Sequence, residues 1–181
     1  WARGQNEVAQ GELEAHPLFQ PVHERALEIL TSDDRIAYPS LMGGEIYNFW
    51  RDEARVRGIW RTASLAAYRA DDTDWDVILD IDALAETEGE NWVWAGSNCR
   101  YPDYDRCLVG LSVGGADAAV RREFDLESRA FVEDGFQVPE SKSSIGWRDR
   151  DSVFYGPAFD DAEMTDSGYP RTVRLWRRGE P

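Results

Sequence analysis

The middle of the chain alternates short apolar runs with clusters of turn residues. The apolar runs are Cys107–Ser112, Ala118–Phe124 and Ala130–Val132, and they are separated by Gly114–Asp117 and Asp125–Arg129. Glycine and aspartate clusters between short apolar runs are typical of consecutive antiparallel hairpins. The pattern predicts a β-meander, the unit from which the blade of a propeller is built.

Two helices are predicted before the first strand. The first covers Gln5–Ala15, where Gly11 weakens it and Pro17 stops it. The second begins near Pro21 and runs to Leu30, with its apolar residues on one face. No long helix is predicted from residue 35 onward. Apolar and aromatic runs indicate strands at Ile46–Trp50, Gly58–Thr62, Ser64–Tyr68 and Trp75–Leu79.

The strand pattern repeats along the chain. Trp94 and Trp147 occupy similar positions 53 residues apart, and Val77 and Phe131 lie 54 residues apart. A period near 50 residues with about four strands per unit favours a propeller over a closed barrel. We therefore predict a mainly β fold: two short α-helices in residues 1–34, then an incomplete β-propeller in residues 35–181. The propeller part should contain about two to three four-stranded antiparallel blades.

One short motif suggests catalysis but does not fit its surroundings. Gly110–Gly114 matches G-x-S-x-G, which in α/β-hydrolases places a nucleophilic serine, here Ser112, between a strand and a helix. The glycines that follow favour a hairpin, and the serine would need a histidine downstream to take its proton. The two histidines of the chain, His16 and His23, both lie upstream. They are expected to be surface or capping residues, so no catalytic residue is assigned.

The net charge of the chain limits the kinds of molecule that it can bind. The net charge of −15 over 181 residues disfavours nucleic acid and anionic membranes, because both require a cationic face. No apolar run approaches the roughly 20 residues that span a bilayer, and no signal peptide is visible. We expect a cytoplasmic protein. The chain begins at Trp1 without an initiator methionine, which suggests a truncated N-terminus.

Neither the cysteines nor the acidic residues form a metal site. Cys99 and Cys107 lack the spacing of a zinc site; they could lie across a hairpin, but reduced thiols are expected in the cytoplasm. Residues 70–90 contain nine acids and no base, which predicts a solvated acidic rim. Asp72 resembles the start of a calcium loop. Val77 and Ala83 replace the glycine and glutamate that such a loop requires, so no metal or other cofactor is expected.

Several runs together resemble the N-terminal region of bacterial prolyl oligopeptidase family proteins. Each motif is weak alone, but their order and spacing are specific, and the resemblance covers essentially the whole chain. The runs are Tyr47–Asp52, Arg57–Arg61, Leu79–Leu84, Gly114–Asp117, Arg122–Asp125, Phe131–Phe136, Val138–Glu140 and Thr165–Arg171, after an opening helix containing Trp1 and Gln5–Asn6.

The resemblance implies a serine peptidase of two domains. In this family a propeller lies over the active site and admits short peptides, while the catalytic serine, aspartate and histidine belong to a C-terminal α/β-hydrolase domain. Residues 1–34 would pack on that domain, which this chain does not contain. Because the catalytic residues are absent, the chain alone should be inactive. An incomplete propeller also exposes strand edges, which predicts a homodimer or aggregate formed through those edges.

Two residues are candidates for substrate binding in the full-length enzyme. By resemblance, Asp117 is an aspartate near the cavity between the two domains, where it could pair with a cation; the alternative is that it caps its hairpin turn. Lys142 lies where some members of the family place an aromatic residue against the substrate. A lysine departs from that pattern and leaves a preference for proline in doubt, and the alternative is a plain exposed side chain.

Two other classes of function fit the composition. The chain could be a stand-alone β-rich module that binds a protein partner through aromatic surface residues. It could instead be an acid-rich carbohydrate-binding or glycosidase-like domain, although no two carboxylates are specifically paired in the sequence.

Overall fold

The computed structural model describes residues 1–32, 34, 36, 38–70 and 73–180. Two helices, α1 (Ala2–Glu14) and α2 (Phe19–Thr31), precede a series of antiparallel sheets. The predicted fold class is confirmed. Both helices begin earlier than predicted, α1 by three residues and α2 by two. The predicted domain boundary falls between residues 34 and 35. Residue 35 lies outside the described residues, so the boundary stays a prediction.

The first sheet is formed by one continuous stretch of chain. It contains β1 (Ser40–Met42), β2 (Glu45–Trp50), β3 (Ile59–Ser64) and β4 (Asp76–Asp80), paired in that order. Gly43 and Gly44 connect β1 to β2 with positive φ angles of 59° and 90°, which glycine adopts without a steric penalty.

The second and third sheets follow in the same manner. The second contains β5 (Trp92–Cys99), β6 (Arg106–Val113), β7 (Ala119–Asp125), β8 (Ala130–Phe131) and β9 (Gln137–Ser141), with both β8 and β9 paired to β7. The third contains β10 (Ser144–Asp149), β11 (Ser152–Gly156) and β12 (Arg174–Arg177), also in chain order.

Two short helices lie where the sequence predicted other features. Ser64–Tyr68 was predicted as a strand, and this is wrong: α3 (Leu65–Arg69) begins there because Ser64 Oγ accepts a hydrogen bond from Ala67 N at 3.1 Å. Helix α4 (Ile81–Glu88) lies in the acidic stretch. Asp80 caps its first turn, and Gly89 ends it in the left-handed conformation.

The sheets pack face to face, and β6 contributes to both interfaces because alternate residues of a strand point to opposite faces. Val109 and Leu111 of β6 pack with Trp60 and Phe124 in the core between the first and second sheets. The other core, between the second and third sheets, contains Leu108, Phe136 and Val153. Burying one such aromatic side chain contributes roughly 3 kcal/mol. The sheets therefore stack as blades do.

The first strands of successive sheets lie on the same side of this stack. Met42 of β1 lines one cavity with Ser97 of β5. β5 contacts β10, and Trp147 Nε1 of β10 donates a hydrogen bond to Asn98 O of β5 at 2.9 Å. In a propeller the first strand of each blade lies nearest the central axis. We call β1, β5 and β10 the inner strands.

The acidic stretch is tied to the fold at several points. Asp82 accepts hydrogen bonds from Arg57 N and Gly58 N, and Asp76 pairs with Arg129 of the second sheet. Glu88 accepts from Arg122 of the second sheet at 2.8 Å. Asp76 remains 60% exposed, as a solvated acidic rim predicts, but these carboxylates also bond to residues that lie far away in the sequence. Asp72 lies outside the described residues.

The expectation of reduced thiols is also wrong. Cys99 and Cys107 form a disulfide. They are direct partners in the register of β5 and β6, so their side chains lie side by side on one face. The alternative that they lie across a hairpin is confirmed.

Helices α1 and α2 bury no residue completely. Val22 is 65% exposed and Leu30 is 71% exposed, although both belong to the apolar face predicted for α2. His16 Nδ1 accepts a hydrogen bond from Leu18 N, and His23 stacks on Phe19, so both histidines are surface residues as predicted. In the part of the chain that the structure describes, no helix has the length and apolar character needed to cross a membrane.

Candidate functional site

Asp117 lies in the turn that joins β6 to β7. Gly114 and Gly115 form this turn with φ angles of 63° and 81°, and Ala116 N donates to Val113 O at 3.2 Å. The turn places the Asp117 side chain at the surface, where it is 71% exposed. Ser112 lies inside β6 and is paired with Val93, with a hairpin after it, so the strand-to-helix geometry of a nucleophile is absent there, as predicted.

Lys142 meets Asp117 from a different segment, the connection between β9 and β10. Its ammonium nitrogen is 3.1 Å from Asp117 Oδ2, and it also donates a hydrogen bond to Ser167 O at 3.3 Å. The side chain is 30% exposed, so it is partly enclosed rather than free in solvent. The structure therefore brings together the two residues that the sequence suggested separately.

Tyr169 completes the cluster. Its hydroxyl donates to Asp117 Oδ2 at 3.3 Å, and the Lys142 ammonium lies 4.9 Å from the centre of its ring. A tight loop holds the tyrosine, in which Thr165 N donates to Tyr169 O at 2.8 Å and Gly168 has a φ of 80°. We name Asp117, Lys142 and Tyr169 the surface triad.

The electrostatics of the surface triad favour an ionised carboxylate. The hydrogen bond and charge of Lys142 lower the pKa of Asp117, with a smaller effect from the Tyr169 hydroxyl. The carboxylate thus bonds to side chains from two other segments rather than capping its own turn. Tyr169 was not predicted as a site residue. The run that contains it, Thr165–Arg171, was used in the sequence only as one of the runs that resemble the family.

The surface triad can recognise a ligand but supplies no nucleophile with an adjacent base. It offers an ammonium, a carboxylate and an aromatic hydroxyl, which suit hydrogen bonding and cation–π contact. Among the described residues no group of three or more histidine, cysteine or acidic side chains is arranged to hold a metal ion. Contact between substrate and Asp117 or Lys142 stays a prediction.

A second feature, an open groove, lies along the first sheet. Its volume is about 640 Å³, and its lining includes Tyr38, Asn48 and Trp50. Nearby, the guanidinium carbon of Arg61 lies 4.5 Å from the centre of the Trp50 ring and 4.2 Å from that of Trp75. Burial lowers the pKa of Arg61 to about 10. The aromatic run in β2 was recognised in the sequence only as a strand.

The fold and the order of its sheets define the class to which the chain belongs. Residues 1–181 match the family described as the prolyl oligopeptidase N-terminal beta-propeller domain, and the chain belongs to this family. The family is one of serine peptidases, and this chain corresponds to its N-terminal propeller.

Relatives place the chain within longer proteins. It is 39% identical over 181 residues to an uncharacterized peptidase of Sinorhizobium fredii, covering 99% of this chain and 25% of that protein. It is 29% identical over 189 residues to an uncharacterized peptidase of Rickettsia prowazekii, covering 99% and 26%. The chain therefore spans about a quarter of the length of these curated relatives.

Solved structures agree on the fold. A post-proline cleaving enzyme from Rickettsia typhi superposes with a TM-score of 0.88 at 28% identity, covering 99% of this chain and 27% of that one. Oligopeptidase B from Leishmania major gives a TM-score of 0.65 at 15% identity, covering 96% and 23%. The latter similarity concerns the fold alone.

Proposed function

We propose that this chain forms the first blades of a propeller that limits the access of peptides to a hydrolase active site elsewhere in the longer protein. The observation that carries the proposal is the stack of three sheets with their inner strands on one side, in a chain that belongs to a family of peptidase propellers. A closed ring of such sheets encloses a narrow axial passage, which excludes folded protein and long chains.

The helical segment fits the same arrangement. Helices α1 and α2 leave Val8, Val22, Ile29 and Leu30 more than half exposed. Exposed apolar side chains spaced along two helices are typical of a surface that another domain covers. We propose that residues 1–34 pack on the C-terminal hydrolase domain of the longer protein.

The surface triad is our proposed contribution to substrate binding. Its carboxylate can accept hydrogen bonds from backbone N–H groups of a short peptide, and its ammonium can donate hydrogen bonds to backbone carbonyls. The Rickettsia typhi relative is described as a post-proline cleaving enzyme, so we propose short proline-containing peptides as the substrate class. We assign the chain no cofactor, nucleic acid or membrane partner. The Cys99–Cys107 disulfide is typical of an oxidising compartment, so the cytoplasmic location expected from the sequence stays a prediction.

The proposed limit on peptide access, which we call the gate, can be tested with the intact peptidase and two substrates of different length. One is a short chromogenic peptide with proline before the cleaved bond, and the other is a long polypeptide that contains the same site. We expect the short substrate to be cleaved in a reaction that a serine-reactive inhibitor stops, and the long one to be cleaved poorly. The 181-residue chain alone should cleave neither.

A matched pair of tryptophan variants tests the inner strands. Trp147→Ala removes the hydrogen bond between β10 and β5, whereas Trp176→Ala changes the same residue type on β12, at the opposite edge of the third sheet. We expect Trp147→Ala to raise cleavage of the long substrate relative to the short one, and Trp176→Ala to leave this ratio unchanged. Equal effects of the two variants, or efficient cleavage of the long substrate by the natural protein, would contradict the gate.

A further inference from the structure

Arg121 points from the middle of the second sheet toward its inner strand. It lies on β7 directly opposite Gly110 of β6, and its guanidinium crosses above that glycine. A Cβ at position 110 would collide with Arg121 Nη1 and lie 3.0 Å from Ala95 O of β5. Glycine at position 110 is therefore what allows the guanidinium to reach the inner strand.

The neighbouring arginines have carboxylate partners, whereas Arg121 has none among the residues that the structure describes. Arg122 pairs with Glu88, and Arg178 pairs with Glu123. Within the described residues, Arg121 Nη1 is fully buried and has no hydrogen-bond partner. Burial lowers its pKa, and no acidic group offsets this effect. Arg121 as a whole is only partly buried, so the part of the guanidinium that is not buried is where an anion can bind. A partly buried cation without a counter-charge is stabilised by such an anion.

The inner strand is open beside this guanidinium. The register between β5 and β6 shifts between Trp94 and Ser97, which places Ala95 and Gly96 in a bulge. A Cβ added at Gly96, or at Gly146 of the inner strand β10, would meet no atom within 4 Å. A ligand at the inner strands therefore has room to approach.

We propose that Arg121 is a binding site for a carboxylate at the inner strands, between the second and third sheets. The planar guanidinium donates two parallel hydrogen bonds to a carboxylate, which a lysine does not do. The chain's net charge of −15 favours a singly charged anion over a phosphate. The carboxylate can come from the C-terminus of a short peptide, in which case the site rests on the proposed function, or from an acidic side chain elsewhere in the longer protein.

The test uses the intact peptidase and two forms of one short proline-containing peptide, with a free or an amidated C-terminus. The measured quantity is kcat/KM for the free acid divided by kcat/KM for the amide. If Arg121 binds the C-terminus of the peptide, Arg121→Gln should lower this ratio by about tenfold, which corresponds to the loss of one charge-assisted hydrogen bond. Arg121→Lys should recover only part of the ratio. Arg148→Gln, which removes an exposed guanidinium from β10, is the matched control and should leave the ratio unchanged.

The melting temperature tests the other possibility, that the carboxylate is an acidic side chain of the longer protein itself. If the ratio is unaffected by Arg121→Gln but the melting temperature falls further than with Arg148→Gln, the carboxylate belongs to the protein itself. If the ratio is unaffected and Arg121→Gln is as stable as the natural protein or more stable, Arg121 is an uncompensated charge and the proposal is wrong. Should neither peptide be cleaved, the proposed function fails, while the melting comparison still tests Arg121.

Discussion

Glu123 of β7 is a carboxylate enclosed between the second and third sheets. Only 1% of its side chain is exposed, and both of its oxygens accept hydrogen bonds from Arg178, at 2.9 and 3.0 Å. Phe136 N donates to it at 2.9 Å. Because Arg178 follows the last strand, this contact ties the end of the third sheet to the middle of the second.

Glu123→Gln should destabilise the propeller by about 3 kcal/mol, because it leaves the Arg178 guanidinium facing a neutral amide in an enclosed site. Urea unfolding followed by tryptophan fluorescence measures the change. Glu127→Gln makes the same chemical change at an exposed position and should stay within about 0.5 kcal/mol of the natural protein. Equal stability of the two variants would show that the pair contributes nothing.

The surface triad gives a second prediction, about pH. Lys142→Met should raise the pKa of Asp117 toward the ordinary aspartate value, since the Lys142 ammonium is the main cause of its lowering. A carboxyl whose pKa is lower in the folded state stabilises that state above the ordinary carboxyl range, and this contribution is lost as the pH falls through the lowered pKa. NMR titration of the Asp117 carboxyl carbon measures the shift. A value that does not change in the Lys142→Met variant would contradict the contact.

At the scale of residues, the sequence indicated which side chains are candidates for a site but not which other side chains they contact. Asp117 and Lys142 were both recognised as candidates, but nothing in the sequence paired them, because they lie 25 residues apart on separate connections. Glu123 and Arg178 are 55 residues apart, and the disulfide joins residues from two strands. Such contacts depend on register and on sheet packing, which a single sequence does not specify.

At the scale of elements, strands with a clear apolar pattern were predicted well and the others were not. β2, β6 and β7 were recognised because apolar or aromatic residues run between strong turn signals. β9 was not predicted as a strand, since Pro139 lies inside it and proline argues against a central strand. Pro139 is tolerated because β9 is an edge of its sheet.

Helix α2 yields a prediction at this scale. Leu30→Glu should reduce the melting temperature of the intact peptidase strongly if α2 packs on the hydrolase domain, because the substitution buries an unpaired charge. Gln20→Glu adds the same charge at another exposed position of α2. It replaces the hydrogen bond from Gln20 to Glu24 with a like-charge pair one turn apart, so it should cost only about 0.5 kcal/mol. If both variants melt at the natural temperature, α2 is not covered by another domain.

At the scale of the whole molecule, the three sheets form part of a ring whose last strand is unprotected. Among the described residues, β12 is an edge strand of the third sheet, which has three strands where the first sheet has four. Its free backbone groups can pair with those of a second copy.

We therefore expect the 181-residue chain to form dimers or larger species through β12. Leu175→Pro should weaken this association, because proline removes a backbone donor and does not fit a paired strand. Sedimentation velocity at tens of micromolar measures the species directly, and Leu41→Pro, on the edge strand β1, distinguishes the two edges of the stack. If the natural chain is monomeric at this concentration, the predicted association through β12 is wrong.

Each sheet is made from one uninterrupted length of polypeptide, residues 40–80, 92–141 and 144–177. Strand partners are thus close neighbours in sequence, so a sheet needs no residue that is synthesised after its own last strand. Each sheet can then form while the ribosome is still adding the next, and the ring would grow one blade at a time from the amino terminus.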